Sequence, residues 1–391
     1  MKAICACIAA LALVALPGGC GSDGDSADEP VRIGASLPLS GPAALTRETS
    51  GLELPFDDVN AAGGLVIDGE RRRVELVVRD NRSSTSTQAR QLRELVLEDE
   101  VSALIGAGGG LAIPAAGVAN SLEVPMILTG LPVELFAGAT EGKSRYAWDT
   151  FTGFPRETFQ VADLARTNKR VVAIGGNDPN GPPFLDLMRG EGAKRGYEIV
   201  ASTLVPVGTT DFSRVIREAT ADDAEVLVAA LGPAEGIALW KQMKALGYAP
   251  VLATCYLCAA SPAWAELGEL GEGAVTLAAW TKTAHLPGTV RLLEHYGADA
   301  TAAELNIYVV GFHLGRVLLD AIDRADSADP EAINEAIART NGDFPLGHVE
   351  FAGDHTSRQT IYYVQWRDDD VVQVFPPKGA EPLVAPVPGL R

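Results

Sequence analysis

A few residue types in this chain stand at spacings that bear on chemistry. Cys255-Tyr-Leu-Cys258 sets two thiols three positions apart. Such a pair forms a disulfide, stays free, or carries redox or metal chemistry if it has partners. Gly142-Lys143-Ser144 resembles the end of a phosphate loop, but the first glycine of that motif would fall at Ala137 and no strand feeds the turn directly. Histidines stand at 285, 295, 313, 348 and 355, and none pairs at metal-ligand spacing. His313, within an apolar helical stretch, reads as a satisfied core histidine. No serine or cysteine occupies a Gly-x-Ser-x-Gly elbow. The residues therefore offer no catalytic constellation, no metal site and no cofactor site.

Binding is better served. The stretch IGAGGGLAIPAAGVAN (105–120) puts Gly106, Gly108, Gly109 and Gly110 at one strand-to-helix turn. Glycine is costly to order, so such a run needs a reason. Either a ligand approaches the backbone N–H groups there, or the turn is merely tight. It is a poor dinucleotide fingerprint, because Leu111 stands where the third glycine or alanine belongs.

The elements around this turn alternate. VRIGASLPL (31–39), VELVVRD (74–80), VSALIGAG and VPMILTG read as strands, and Ala89, Leu92, Leu95 and Val96 line a helical face. After a break at TEGKSRYAWDTFTG the pattern restarts with KRVVAIGG, YEIVASTLV, AEVLVAAL, PVLATC and AVTLAAW. Asp211 is placed to cap one helix, Gly247 to end another, and Asp329-Pro330 to start a third. A long helix covers AELNIYVVGFHLGRVLLDAIDRA, and a strand and hairpin close the chain, with Asp368, Asp369 and Asp370 in the hairpin turn. Strands alternating with helices imply parallel sheets, and two such runs imply two doubly wound α/β lobes. Ligands of such sheets bind outside the carboxyl ends of the strands. The turn at 106–110 lies at such an end, as do the loops 39–51, 129–134, 175–181, 231–236 and 254–258, which two lobes would turn toward one cleft.

The first thirty residues set the compartment. Lys2 precedes an apolar run, Ile4 to Leu16, too short to span a bilayer. LPGG then leads into Cys20. This resembles the lipobox of bacterial lipoproteins, although Leu16 stands one place further from the cysteine than usual. The resemblance implies a signal peptide over 1–19, lipid on Cys20, and attachment to the membrane through that lipid alone. Residues 20–30 read as a flexible tether. No later segment has 18 consecutive apolar residues. A net charge of −19 argues against nucleic acid as a partner. In an exported chain Cys255 and Cys258 most simply form a disulfide, with free thiols and redox or metal chemistry as the alternatives.

The segments VRIGASLPLSGPAA, FDDVNAAGGLVIDG, VELVVRDNRSS, VSALIGAGG, TTDFSRVIREA and EGIALWKQMKALGY together resemble the branched-chain amino acid and amide-binding branch of the type I periplasmic binding proteins, from about Val31 to Pro377. Their order and spacing, more than any one motif, carry the resemblance. It implies two Rossmann-like lobes, three crossovers near 146–149, 278–282 and 352–358, and a central ligand cleft that closes on binding. Lobe I would comprise 31–148 with 281–352, and lobe II 149–280 with 353–391. It also implies an extracytoplasmic receptor, not an enzyme, that hands a small ligand to the permease and ATPase subunits of an ABC importer. A ligand sensor signalling to a membrane kinase or regulator is the alternative.

Carried over by position, the ligand site would comprise Gly108, Gly109, Gly110, Thr129, Leu131 and Val133 on one side and Asn180 and Tyr256 on the other. Amino acid binders of this kind offer serine-type hydroxyls where this chain has Gly108 to Gly110. They also have an acid to hold the ligand ammonium, which would fall near Cys255 to Cys258, where none stands. The expected ligand is thus small and mostly apolar with one acceptor group, such as a carboxylate or amide, unless Asp178, Glu235 or another acid swings in to hold an ammonium.

Overall fold

The computed structural model describes residues 29–391 except 42–45, 107, 179, 257 and 298–299. The expected signal peptide (1–19) and the expected lipidation site, Cys20, lie outside the described residues.

Short apolar runs buried on both faces become parallel strands, because helices then cover each side. The first sheet has the order Thr356–Gln359, Ala147–Thr152, Met126–Leu128, Ala103–Gly106, Val31–Leu37, Val74–Asp80, all parallel. The second runs Asp370–Phe375, Tyr362–Arg367, Val275–Ala278, Leu252–Cys255, Val226–Ala230, Arg170–Gly176, Glu198–Val205. Its last five strands are parallel, and the final hairpin adds two antiparallel ones. In each lobe the first strand lies between the second and the third, the 2-1-3-4-5 order of one kind of doubly wound sheet. The switch points fall between Val31–Leu37 and Ala103–Gly106 in lobe I, and between Arg170–Gly176 and Val226–Ala230 in lobe II. Crevices for ligands open at such points.

Local chemistry sets the ends of the helices. Helix Ala302–Ala325 starts at a capping box: Thr301 Oγ1 accepts from the Glu304 N–H, and the Glu304 carboxylate accepts from the Thr301 N–H. Asp329 caps helix Pro330–Ala338, and Gly247, at φ 72°, ends helix Pro233–Leu246. Phe212, not Asp211, is the N-cap of helix Ser213–Ala221; Asp211 stands one residue earlier and accepts from the Ser213 N–H. The final hairpin turns at Asp368 and Asp369, both with positive φ, as a two-residue type I′ loop requires.

One expectation is corrected. Asp149–Thr152 and Thr356–Gln359 pair with each other inside the first sheet. The crossovers therefore lie at 153–157 and 360–361, several residues beyond the positions expected, while the middle one begins at 279. TSRQ (356–359) has no apolar run, so nothing local marks it as a strand; it forms because Ala147–Thr152 offers it an open edge. The short hairpin Leu65–Ile67 with Glu70–Arg72 was likewise unforeseen.

Candidate ligand cleft

The glycines at 106–110 separate into two groups. A Cβ on Gly106 would lie 2.9 Å from Met126 Sδ, and one on Gly108 would strike the Thr129 carbonyl and lie 2.7 Å from Gly130 Cα. Gly109 has φ 61°, where side chains are strained, and its N–H donates to the Gly130 carbonyl at 3.1 Å. These three are glycines because the turn is tight. Gly110 differs: no atom lies within 4 Å of its Cβ position, and its backbone is not left-handed. It is exposed, in the single 3₁₀ turn (Gly109–Leu111) that leads into helix Ala112–Leu122. The N–H groups and dipole at that helix start favour an acceptor.

The second loop of lobe I is largely occupied with its own packing. The Thr129 hydroxyl donates to the Thr150 carbonyl at 2.8 Å. Leu131 and Val133 are buried, Leu131 in the same apolar cluster as Leu128 and Phe136. Next to them Glu134 makes contacts that the sequence did not signal. Its carboxylate accepts from the Phe154 N–H at 3.1 Å, from Arg156 at 3.2 Å and from Arg358 at 2.7 Å. Partial burial works against its ionisation, but the Arg358 hydrogen bond and the backbone donors outweigh it and hold the carboxyl below its ordinary range. Glu134 thereby ties the loop to the first crossover and to the strand that precedes the third.

In lobe II, Asp178 accepts from the N–H groups of Asn180 (2.7 Å) and Gly181 (3.1 Å), so its carboxylate caps helix Gly181–Lys194. Asn180 is half-buried, and its side-chain amide has no hydrogen-bond partner among the described residues. Glu235 accepts from the Gly208 N–H at 2.7 Å. Asp178 Oδ1 and Glu235 Oε1 are thus engaged with backbone donors.

Tyr256 is displaced from the expected wall. It is 3% exposed, with its hydroxyl 2.5 Å from Thr158 Oγ1 and its ring edge-on to Phe184 and Tyr363. Burial pushes its hydroxyl pKa up. The ring belongs to the core of lobe II. Beside it the Cys255 and Cys258 sulfurs adjoin, their Cα atoms 5.6 Å apart and both residues buried, which places them for the expected disulfide. A Cβ at Gly236, in the helix over them, would collide with Cys258.

No group of three metal-ligating side chains occurs among the described residues. His313 is fully buried. Its Nδ1 accepts from the Leu346 N–H at 3.3 Å, which leaves Nε2 to donate to Thr150 Oγ1 at 3.0 Å. Burial lowers its pKa to about 3, so it is a neutral core residue.

Residues 30–370, which hold both 2-1-3-4-5 sheets, match the family model for periplasmic binding proteins. The chain belongs to the periplasmic binding protein family. This binding protein is 26% identical over 379 residues to Leu/Ile/Val-binding protein homolog 8 of Brucella abortus, covering 90% of this chain and 91% of that one. Its fold resembles that of the branched-chain amino acid transporter substrate-binding protein LivJ of Streptococcus pneumoniae, solved with isoleucine (TM-score 0.71, 21% identity, 88% of this chain and 100% of that one). It equally resembles an ABC transporter solute-binding protein of R. palustris solved with benzoate (TM-score 0.73, 16% identity, 92% and 97%). The binding protein thus has the type I fold expected of it and the role of an extracytoplasmic solute receptor.

Proposed function

We propose that this receptor delivers a small, mostly apolar carboxylate or amide to the permease and ATPase of an ABC importer, by closing its two lobes on the ligand. The ligand acceptor sits at Gly110, against the start of helix Ala112–Leu122, and the Asn180 amide approaches from the other lobe. Thr129, Leu131 and Val133 shape the first wall from beneath, through their backbone. Half-buried Phe154, at the crossover between the walls, adds apolar surface. Lipid on Cys20 holds the receptor at the membrane.

The observation that carries this reading is the engagement of Asp178 and Glu235 with backbone N–H groups. A free α-amino acid brings an ammonium that needs a partner. Asp178 Oδ1 and Glu235 Oε1 are already taken by their own lobe, which holds both side chains in place and leaves less acceptor capacity for an ammonium, and an unpaired buried charge costs several kcal/mol. The likeness to both an isoleucine complex and a benzoate complex shows that such folds accept either chemistry, and the engagement of the two acids favours the second. A thermal-shift screen tests it. Aromatic or aliphatic carboxylates and amides should raise the melting temperature, whereas a large rise with leucine, isoleucine or valine and none with the others would overturn the assignment.

A further inference from the structure

A second concave site lies outside the cleft. It opens on the flank of lobe I, between the middle of helix Ala302–Ala325, the start of helix Thr289–Tyr296 and the hairpin Asn341–Phe344 with Gly347–Glu350, and encloses about 420 Å³. That volume is within the range of small-molecule sites. Arg291, Arg316, Arg324 and Arg339 line it, together with three aspartates, in a chain whose net charge is −19.

Two of the guanidinium groups are fixed. Arg291 is held bidentately by Asp58, at 3.0 and 2.6 Å. Arg324 is held by Asp320 at 2.8 Å and also donates to the Ala336 carbonyl and to Thr340 Oγ1. The other two are available. Arg316 has no hydrogen bond or ion pair among the described residues, and Arg339 has one exposed pair with Glu335 at 3.3 Å, one turn away on its own helix. Exposed pairs of that kind contribute little. The third aspartate, Asp343, bonds His348 Nδ1 at 2.9 Å. Phe312 and Phe344, both nearly buried, supply apolar surface at the base. Asp58 and Asp320 already balance Arg291 and Arg324, so the charge open to an incoming anion is that of Arg316, with Arg339 beside a weak exposed pair, and a guanidinium fork matches the oxygens of carboxylate and phosphate.

We propose that this hollow is a second ligand site, separate from the cleft, for a small oxyanion-bearing molecule held by Arg316 and Arg339. The proposal does not depend on which ligand the cleft binds. Inorganic phosphate and citrate are the probes, titrated calorimetrically into the mature chain carrying Cys20→Ala at constant ionic strength. Saturable binding is expected, weakened at least about tenfold by Arg316→Gln, because a charge-assisted hydrogen bond is removed. The Arg316 side chain is exposed and unpaired, so that variant should melt at the wild-type temperature, which checks that it folds. Absence of saturable binding by either probe, or binding undiminished in Arg316→Gln, would overturn the proposal.

Discussion

The contrast between Gly108 and Gly110 yields the sharpest test. Adding a methyl at Gly108 sets it 2.7 Å from Gly130 Cα and against the Thr129 carbonyl, both of them backbone. Neither neighbour can swing aside as a flexible side chain would. Overpacking of this kind costs about 1–3 kcal/mol. Gly110→Val meets nothing within 4 Å of its Cβ and no left-handed backbone. The loss of glycine entropy from the unfolded chain offsets any local cost, so the change in stability should stay within about 1 kcal/mol. Binding should respond in the opposite sense. A ligand at about 100 times its Kd adds roughly 2.7 kcal/mol to stability. The branched side chain introduced by Gly110→Val would fill the approach to the N–H groups and abolish that gain. The assay is urea unfolding of wild type, Gly108→Ala and Gly110→Val, each with and without the ligand found by the screen. Wild type should gain the full increment, Gly108→Ala should start lower, and Gly110→Val should match apo wild type whether or not ligand is added. If Gly110→Val keeps the full increment, the ligand does not approach the backbone there. If Gly108→Ala is as stable as wild type, the close approach of the 129–130 loop is not what requires glycine.

Three further outcomes follow from other residues. His313 binds a proton near pH 6.5 when unfolded and only near 3 when folded, so the unfolded state carries more protons in between and stability falls as pH drops; His313→Gln should remove up to about 1.4 kcal/mol per pH unit of that slope between pH 6 and 5, and a pH dependence identical to wild type in urea titrations would refute its burial as a neutral group. Alkylation of unreduced exported protein should leave Cys255 and Cys258 unmodified by intact mass, and two added adducts without reductant would show the pair unbridged. Cys20→Ala should move the protein from the membrane to the soluble fraction, and unchanged fractionation would rule out a lipid anchor at that residue.

The fold was readable wherever pattern alone determines structure. Continuous apolar runs such as Ala103–Gly106 and Val226–Ala230 are buried on both faces, and that is what a parallel strand between helices needs. Asp329-Pro330, Gly247 and the Asp368–Asp369 turn act through neighbours a few residues away, so their roles show in the string. Thr356–Gln359 was hidden because its strand exists only through pairing with Asp149–Thr152, far back in the chain.

The site was readable to the same depth and no further. The location proposed for it follows from the alternation of strands and helices, since switch points lie where the chain order of a sheet reverses. The duties of its side chains did not. Gly108 and Gly110 are two residues apart and identical in type, yet the Thr129–Gly130 loop presses on one and leaves the other open. Tyr256 sat at a strand end, where an aromatic wall would serve a ligand, but its hydroxyl partner, Thr158, is 98 positions away and draws the ring into the core. Glu134 met Arg358 across 224 positions and gave no local sign. Asp178 is the instructive intermediate. Its hydrogen bonds to the N–H groups two and three residues on are an Asx-type turn, which the sequence Asp-Pro-Asn-Gly could have suggested. Read that way, Asp178 is already committed to its own helix before any ligand arrives. The same commitment for Glu235 required the fold, because Gly208 reaches it from 27 positions earlier. The case for a simple carboxylate over an amino acid therefore leans on backbone donors, which composition and motif spacing do not report.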